Sequence, residues 1–351
     1  QESQVKDYSA MIEQRVQELP KVDLHRHLEG SIRLETIAEI VRETSLPLPQ
    51  DVESLLRLVQ VVEGDPKDHK NFLSKFTNIR QIFRSPEIIH RITAEAVEDA
   101  ARDHVRYLEL RFTPAALAQS GVFDLEDVTQ WVIDAAAEAA SAHGIEVRLI
   151  VSVNRHESLK IAEEAARIAA DHIHDGVVGL DLAGDEVEFP AQPFQSILAS
   201  AKQAGLGLTI HAGEWAGAEN VRNAILELGA DRIGHGIRVL DDPQLTSLAR
   251  ERGIPFEVSV ASNYHTGVIP SLDAHPLPQM IQAGLRTVLT TDDPSIFGTT
   301  LSLEYQNAVD HLGLSLESLK GFTLTAAQAA FLDPLRISQL ETEIVSILWR
   351  Q

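Results

Sequence analysis

The sequence predicts an α/β fold, a (β/α)8 TIM barrel with extra helices before the second strand and at the C-terminus. Two observations carry this. From residue 22 onward, about eight short apolar segments alternate with helical patterns, the order of a parallel barrel. His25, His27, His211, Glu214, His235, Asp292 and Asp293 all fall at or just after the ends of those strands, where a barrel keeps its active site. A doubly wound open sheet is the rival. No Gly-x-Gly-x-x-Gly follows the first strand, which weakens the nucleotide-binding version of that rival.

Residues 1–19 place Tyr8, Met11, Ile12, Val16 and Leu19 at helix-like spacings, and Pro20 closes that helix. Val22 to Gly30 reads as a short strand running into a loop. On a strand, residues two apart share a face, so His25 and His27 project together. Residues 31–46 read as a helix through Leu34, Ile37, Ala38 and Val41, broken by Pro47 and Pro49. Residues 51–103 form a long, mainly helical insertion. Phe72-Leu73-Ser74-Lys75-Phe76 is its most apolar patch; core packing is the simpler reading, and a lid over a site near the first strand is the alternative.

The alternation follows. Strands are read at Tyr107–Phe112, Val147–Val153, Val177–Gly184, Leu208–His211, Arg232–Gly236, Phe256–Val260 and Arg286–Thr291. Between them, helices are read over 124–142, 157–170, 193–204, 218–228, 243–252 and 275–283. Residues 301–351 read as closing helices. No repeat, low-complexity tract or linker divides the chain, so residues 1–351 are read as a single barrel domain.

Composition narrows the function. The chain has 351 residues, 44% of them hydrophobic, enough for a large core. Its 30 Lys+Arg against 52 Asp+Glu leave a net charge of -22, poorly suited to nucleic acid or an anionic membrane. Without cysteine there is no disulfide, no thiolate nucleophile and no Cys-ligated zinc; a tight metal site must use His and carboxylates. No apolar run reaches membrane-span length and the N-terminus lacks a signal-peptide core, so a cytoplasmic location is expected. Nothing in the sequence specifies an oligomeric state.

At the strand ends, His25, His27, His211 and Asp292 make a nitrogen and oxygen set suited to zinc, whose catalytic sites keep a position for water. Glu214 is placed to act as an acid or base, and His235 to hold or deprotonate the water. Asp293 would point away on a continuing strand, but a turn at the strand end can bring it to substrate. Asp292-Asp293-Pro294 could equally be a turn or helix cap. Asp181 reads either as a buried partner to the site or as a structural hydrogen bonder, and Arg155-His156 as structural. Val177 to Gly184 contains no lysine, the residue with which many two-metal barrel hydrolases bridge their metals, which favours a single metal.

These motifs resemble the adenosine deaminase family in order and spacing: Leu24-His25-Arg26-His27-Leu28-Glu29-Gly30-Ser31, Asp181-Leu182-Ala183-Gly184-Asp185-Glu186, His211-Ala212-Gly213-Glu214, Arg232-Ile233-Gly234-His235-Gly236, Ser262-Asn263 with Thr266-Gly267, and Thr291-Asp292-Asp293-Pro294. The likeness covers nearly all of residues 20–335. It implies a barrel hydrolase that replaces the 6-amino group of an adenine-type base with oxygen, with one Zn2+ per chain held by His25, His27, His211 and Asp292. Glu214 would protonate the ring nitrogen beside the reacting carbon, and His235 would position the attacking hydroxide. Asp293 would accept a hydrogen bond at the imidazole side of the base, and the Gly184 backbone would donate at the pyrimidine side. Phe72, Leu73 and Phe76 match the family's apolar lid. The implied partner is a small-molecule purine nucleoside.

One residue departs from the pattern. Adenosine deaminases usually carry Asp, bonded to the ribose 5'-hydroxyl, where this chain has Glu29. Glu there is similar to adenine deaminases and to relatives acting on 5'-modified nucleosides such as aminodeoxyfutalosine. Residues 181–186 instead look like the nucleoside enzymes. The expectation is therefore deamination of adenosine and 2'-deoxyadenosine, with a 5'-modified nucleoside or free adenine as alternatives. A catalytically silent ligand-binding barrel is the reading from another class, and the presence of every residue the chemistry needs argues against it.

Overall fold

Eight strands form one sheet in the order of the chain: β1 (Lys21–His27), β2 (Val105–Phe112), β3 (Glu146–Asn154), β4 (Val177–Ala183), β5 (Gly207–Ala212), β6 (Arg232–His235), β7 (Pro255–Val258) and β8 (Arg286–Leu289). Each pairs in parallel with the next. In this computed structural model, which describes residues 11–348, the ring is completed at the strand ends. The Asp292 amide donates to the His25 carbonyl and the His27 amide to the Asp292 carbonyl, both at 2.8 Å. The eight-stranded barrel read from the alternation is the observed fold. Tyr8 of the first expected helix and the last three residues of the closing helices lie outside the described residues; residues 11–18 are helical.

Parallel strands covered by helices are buried on both faces and read as near-continuous apolar runs. Val22, Leu24, Leu108, Leu110, Leu149, Val151, Leu180, Leu182, Leu208, Ile210, Ile233 and Val288 are accordingly almost wholly buried. The strands' N-terminal ends are stopped by Phe331: a Cβ at Gly207 would stand 2.4 Å from its ring and one at Gly179 2.9 Å, so both positions must be bare. Above it lies a buried charge network. Arg232 donates to Glu109 (2.5 Å) and Glu257 (2.6 Å) and stacks on the Phe331 ring, and Arg111 donates to Glu257 (3.0 Å). Buried charges are tolerated only when paired in this way. Among the described residues, no helix is long and apolar enough to cross a membrane.

The 51–103 insertion holds helices Val52–Val59, His69–Ile79 and Pro86–Arg102. Two strand readings are corrected. The seventh strand, read to Val260, ends at Val258; Val260–His265 is a helix. Val258-Ser259-Val260 has strand propensity, but the buried Glu304 carboxylate accepts the amides of Val260 (2.7 Å) and Ala261 (3.3 Å) and starts a helix there. The eighth, read to Thr291, ends at Leu289, and the chain beyond it turns at Asp292, which takes a left-handed φ of 60°. A short helix, Pro114–Gln119, follows β2, where the sequence reading had none.

Candidate active site

His25 and His27 leave the end of β1 on one face, as the period of a strand requires. His211 comes from β5, His235 from the last residue of β6, and Asp292 from the segment after β8. The imidazole Nε2 of His27 stands 3.2 Å from that of His25 and 3.3 Å from that of His211. Asp292 Oδ1 lies 3.1 Å from His25 Nε2 and 3.4 Å from His27 Nε2. Donors around a tetrahedral zinc at about 2.0–2.1 Å stand roughly 3.3–3.4 Å apart. The spacing fits one small divalent cation.

Tautomers support the fit. His25 Nδ1 donates to Glu257 at 2.7 Å, and His211 Nδ1 donates to Asp181 at 2.9 Å. With their Nδ1 protons so engaged, both rings turn Nε2 toward one point, the orientation that outer partners give to histidines sharing a metal. Burial alone would raise the Asp181 and Glu257 carboxyls. His211 and Arg111 outweigh it at Asp181, and Arg111 and Arg232 at Glu257, so both stay ionised. Burial pushes His27 down to about 4, leaving the neutral imidazole that a metal needs.

Backbone conformation aims the remaining groups. His235 and Asp292 both carry φ of 60°, rare outside glycine and characteristic of functional sites. At Asp292 this turn brings both Asp292 and Asp293 to the cavity, where a straight strand would have sent one outward. Glycines clear the space. A Cβ at Gly30 would fall 1.8 Å from Asp293 Oδ1, and one at Gly234 3.2 Å from the His25 ring. Gly184, at φ 92°, brings backbone to the cavity wall.

Over this cluster lies a cavity of about 290 Å³. His27, His211, His235, Glu214, Asp292 and Asp293 line its polar end; Glu29, Thr113 and Arg80 another wall; and Phe72, Leu73, Phe76, Phe189 and Trp215 the apolar cover. The Phe72 ring stacks on Phe297, 5.1 Å between centroids, so the patch both packs and faces the cavity. β1 stops at His27, and residues 28–30 turn; Glu29 reaches the cavity from that turn, not from a continued strand. Its Oε1 accepts the Thr113 amide at 2.7 Å, while Oε2 is buried without a protein partner. Burial raises its pKa to about 6.

Glu214 Oε2 is 3.5 Å from His235 Nε2, and its Oε1 has no protein partner. Burial, then the charges of Asp292, Glu186 and Asp293, push the Glu214 carboxyl well above the usual range. Burial and Asp292 raise Asp293 in the same way, and its Oδ1 is also free. Three residues without an assigned role in the sequence reading complete the shell: Glu257, and the pair Asn263 and His275. The Leu277 amide donates to His275 Nδ1, His275 Nε2 donates to the Asn263 carbonyl, and the Asn263 amide lies 3.4 Å from His235 Nδ1. That chain makes His235 Nδ1 an acceptor and puts its proton on Nε2, facing the site. Only Asn263, in a motif already marked, carried a signal for this.

The adenosine deaminase family model matches residues 20–347. An adenosine deaminase of Erwinia tasmaniensis is 39% identical over 319 residues, 90% of this chain and 95% of that protein. A COG1816 amidohydrolase of Burkholderia ambifaria with bound Zn superposes with a TM-score of 0.86 at 26% identity, covering 96% of this chain and 94% of that one. Arabidopsis ADAL complexed with GMP does so at 0.84 and 29% identity, covering 95% and 98%. With the motifs, the barrel and the His/Asp cluster in agreement, the chain belongs to the adenosine deaminase family, enzymes that hydrolyse the C–N bond of a cyclic amidine.

Proposed function

We propose that this enzyme converts adenosine and 2'-deoxyadenosine to the inosine compounds and ammonia, with one zinc ion per chain. The observation that carries it is the convergence of His25, His27 and Asp292 at 3.1–3.4 Å, with His211 Nε2 3.3 Å from His27, beside Glu214, whose Oε1 has no protein partner and whose carboxyl is pushed up by burial. The names of the relatives support the substrate, and the zinc of the Burkholderia structure supports the metal.

His25, His27, His211 and Asp292 would hold the zinc, which when bound lowers the pKa of water toward neutrality. The chain supplies the rest. The free Glu214 Oε1 meets the purine ring nitrogen next to C6 and gives it a proton, making that carbon electrophilic. His235, with its proton on Nε2, donates to the attacking oxygen and steadies its charge. Asp293, whose raised carboxyl keeps its proton, donates from its free Oδ1 to N7 at the imidazole side of the base, and the Gly184 backbone donates at the pyrimidine side. Phe72, Leu73 and Phe76 cover the ring and exclude water.

Glu29 decides what hangs from the sugar. Its Thr113 bond fixes one oxygen and leaves Oε2 to accept a 5'-hydroxyl. Misaligning such a buried bond costs about 1–3 kcal/mol, roughly ten- to a hundredfold in kcat/KM. Near neutral pH the carboxylate also repels a 5'-phosphate. Metal analysis and kcat/KM for adenosine, 5'-deoxyadenosine, AMP and adenine test the reading. Adenosine is expected to lead, AMP and adenine to be poor, and Glu29→Asp to shift preference further toward the 5'-hydroxyl compounds. Adenine as best substrate, or four unchanged ratios in Glu29→Asp, would refute this assignment.

A further inference from the structure

The turn after β5 carries Glu214, and its backbone is held from outside. Gly213 takes a left-handed φ of 69°, and a Cβ there would stand 2.3 Å from Val221, so only glycine fits. The kink points four successive amides, those of residues 213–216, at one carboxylate, that of Glu186. Glu186 Oε1 accepts from Glu214 (2.7 Å), Trp215 (2.7 Å) and Ala216 (3.0 Å). Oε2 accepts from Gly213 and from the Asn220 side chain, each at 2.9 Å. The Glu186 residue is 5% exposed. It is itself fixed, since Asp185 Oδ1 accepts the amides of Val187 (2.9 Å) and Glu188 (3.2 Å) and so shapes the loop after β4.

We infer that Glu186 is a positioning residue that clamps the Gly213–Ala216 turn so that the Glu214 carboxyl is aimed at the substrate ring. This rests on the reading of Glu214 as proton donor. Glu186 does not line the cavity, and its hydrogen bonds go to the turn and to Asn220, so it acts on the substrate only indirectly, through the backbone it holds and through the charge it sets near Glu214; Asn220→Ala leaves that charge in place and reads the backbone route alone. A reacting group displaced by about 1 Å costs on the order of 10²-fold in rate. Amides that lose their acceptor inside the protein are costly enough to move this turn.

The experiment compares metal-loaded wild type, Glu186→Gln, Glu186→Gln/Asn220→Asp and Glu214→Gln, measuring kcat, KM, bound zinc and Tm. Gln keeps one acceptor oxygen but sets an NH2 group against the Gly213 amide and the Asn220 NH2. The expected result is a kcat lower by roughly 10²-fold, with KM within about threefold and zinc unchanged. The carboxylate introduced at position 220 supplies an acceptor for the Gln NH2, so the double variant is expected to recover roughly tenfold of that loss. A residue that only stabilises the fold would lower Tm and leave kcat of the folded fraction unchanged, and that outcome overturns the inference. So does a rate loss without recovery in the double variant. If Glu186→Gln does not fold, Asn220→Ala, which removes one bond to the same carboxylate, decides: several-fold lower kcat supports the clamp, and wild-type kcat refutes it. Wild-type turnover in Glu214→Gln would overturn the proton-donor reading and this inference with it; loss there with full activity in Glu186→Gln overturns the inference alone.

Discussion

Glu214→Gln is expected to lower kcat by about 10²–10⁴, the range for a general acid, while fold and bound metal are retained. Gln has the same length and shape, so it still fits the buried pocket, but it has no proton to give. The wild-type carboxyl is held in its acid form by burial and by Asp292, Glu186 and Asp293. A raised pKa keeps the donor protonated at neutral pH. Activity is therefore expected to fall as pH rises through that pKa, and this alkaline limb should vanish in the variant's residual rate. Glu214 is three residues beyond His211, and the proposed metal donors are other side chains, so zinc content separates lost chemistry from a lost site. Wild-type kcat in the variant would rule out the assigned role.

The barrel was legible because parallel strands buried on both faces leave plain apolar segments, and Gly, Pro and charged helices punctuate them. The polar ends were legible for the same reason: a His or Asp that ends such a segment has few structural explanations. What stayed hidden depends on long-range partners. Glu257 sits inside a strand and reads as an ordinary acidic residue until the ring sets it 2.7 Å from His25, 232 positions away in sequence. Glu304 starts the Val260–His265 helix from 44 residues downstream, so local propensity pointed to strand. Asp181 was left between two readings, and only its 2.9 Å bond to His211 selects the buried partner. Glu29 reaches the cavity from the turn at residues 28–30, where the strand read from Val22 runs into its loop.

His211→Ala is expected to lose both zinc and turnover. In the proposed site the imidazole would be one of four donors, and its removal would leave His25, His27 and Asp292 with an open side toward the cavity. Asp181 would remain buried beside it, having lost the Nδ1 donor while keeping Ser152 at 2.8 Å and Arg111 at 3.4 Å. Asp181→Asn separates the donor from its support. The Asn side chain no longer holds His211 Nδ1–H by charge, and loss of such an outer partner costs about 10–100-fold in metal affinity or activity. Excess zinc should therefore restore much of the Asp181→Asn rate and little of the His211→Ala rate. Bound metal after dialysis and kcat across a zinc titration make the measurement. A His211→Ala protein that retains stoichiometric zinc, or a wild type fully active after chelation and metal-free dialysis, would remove the metal from the reaction.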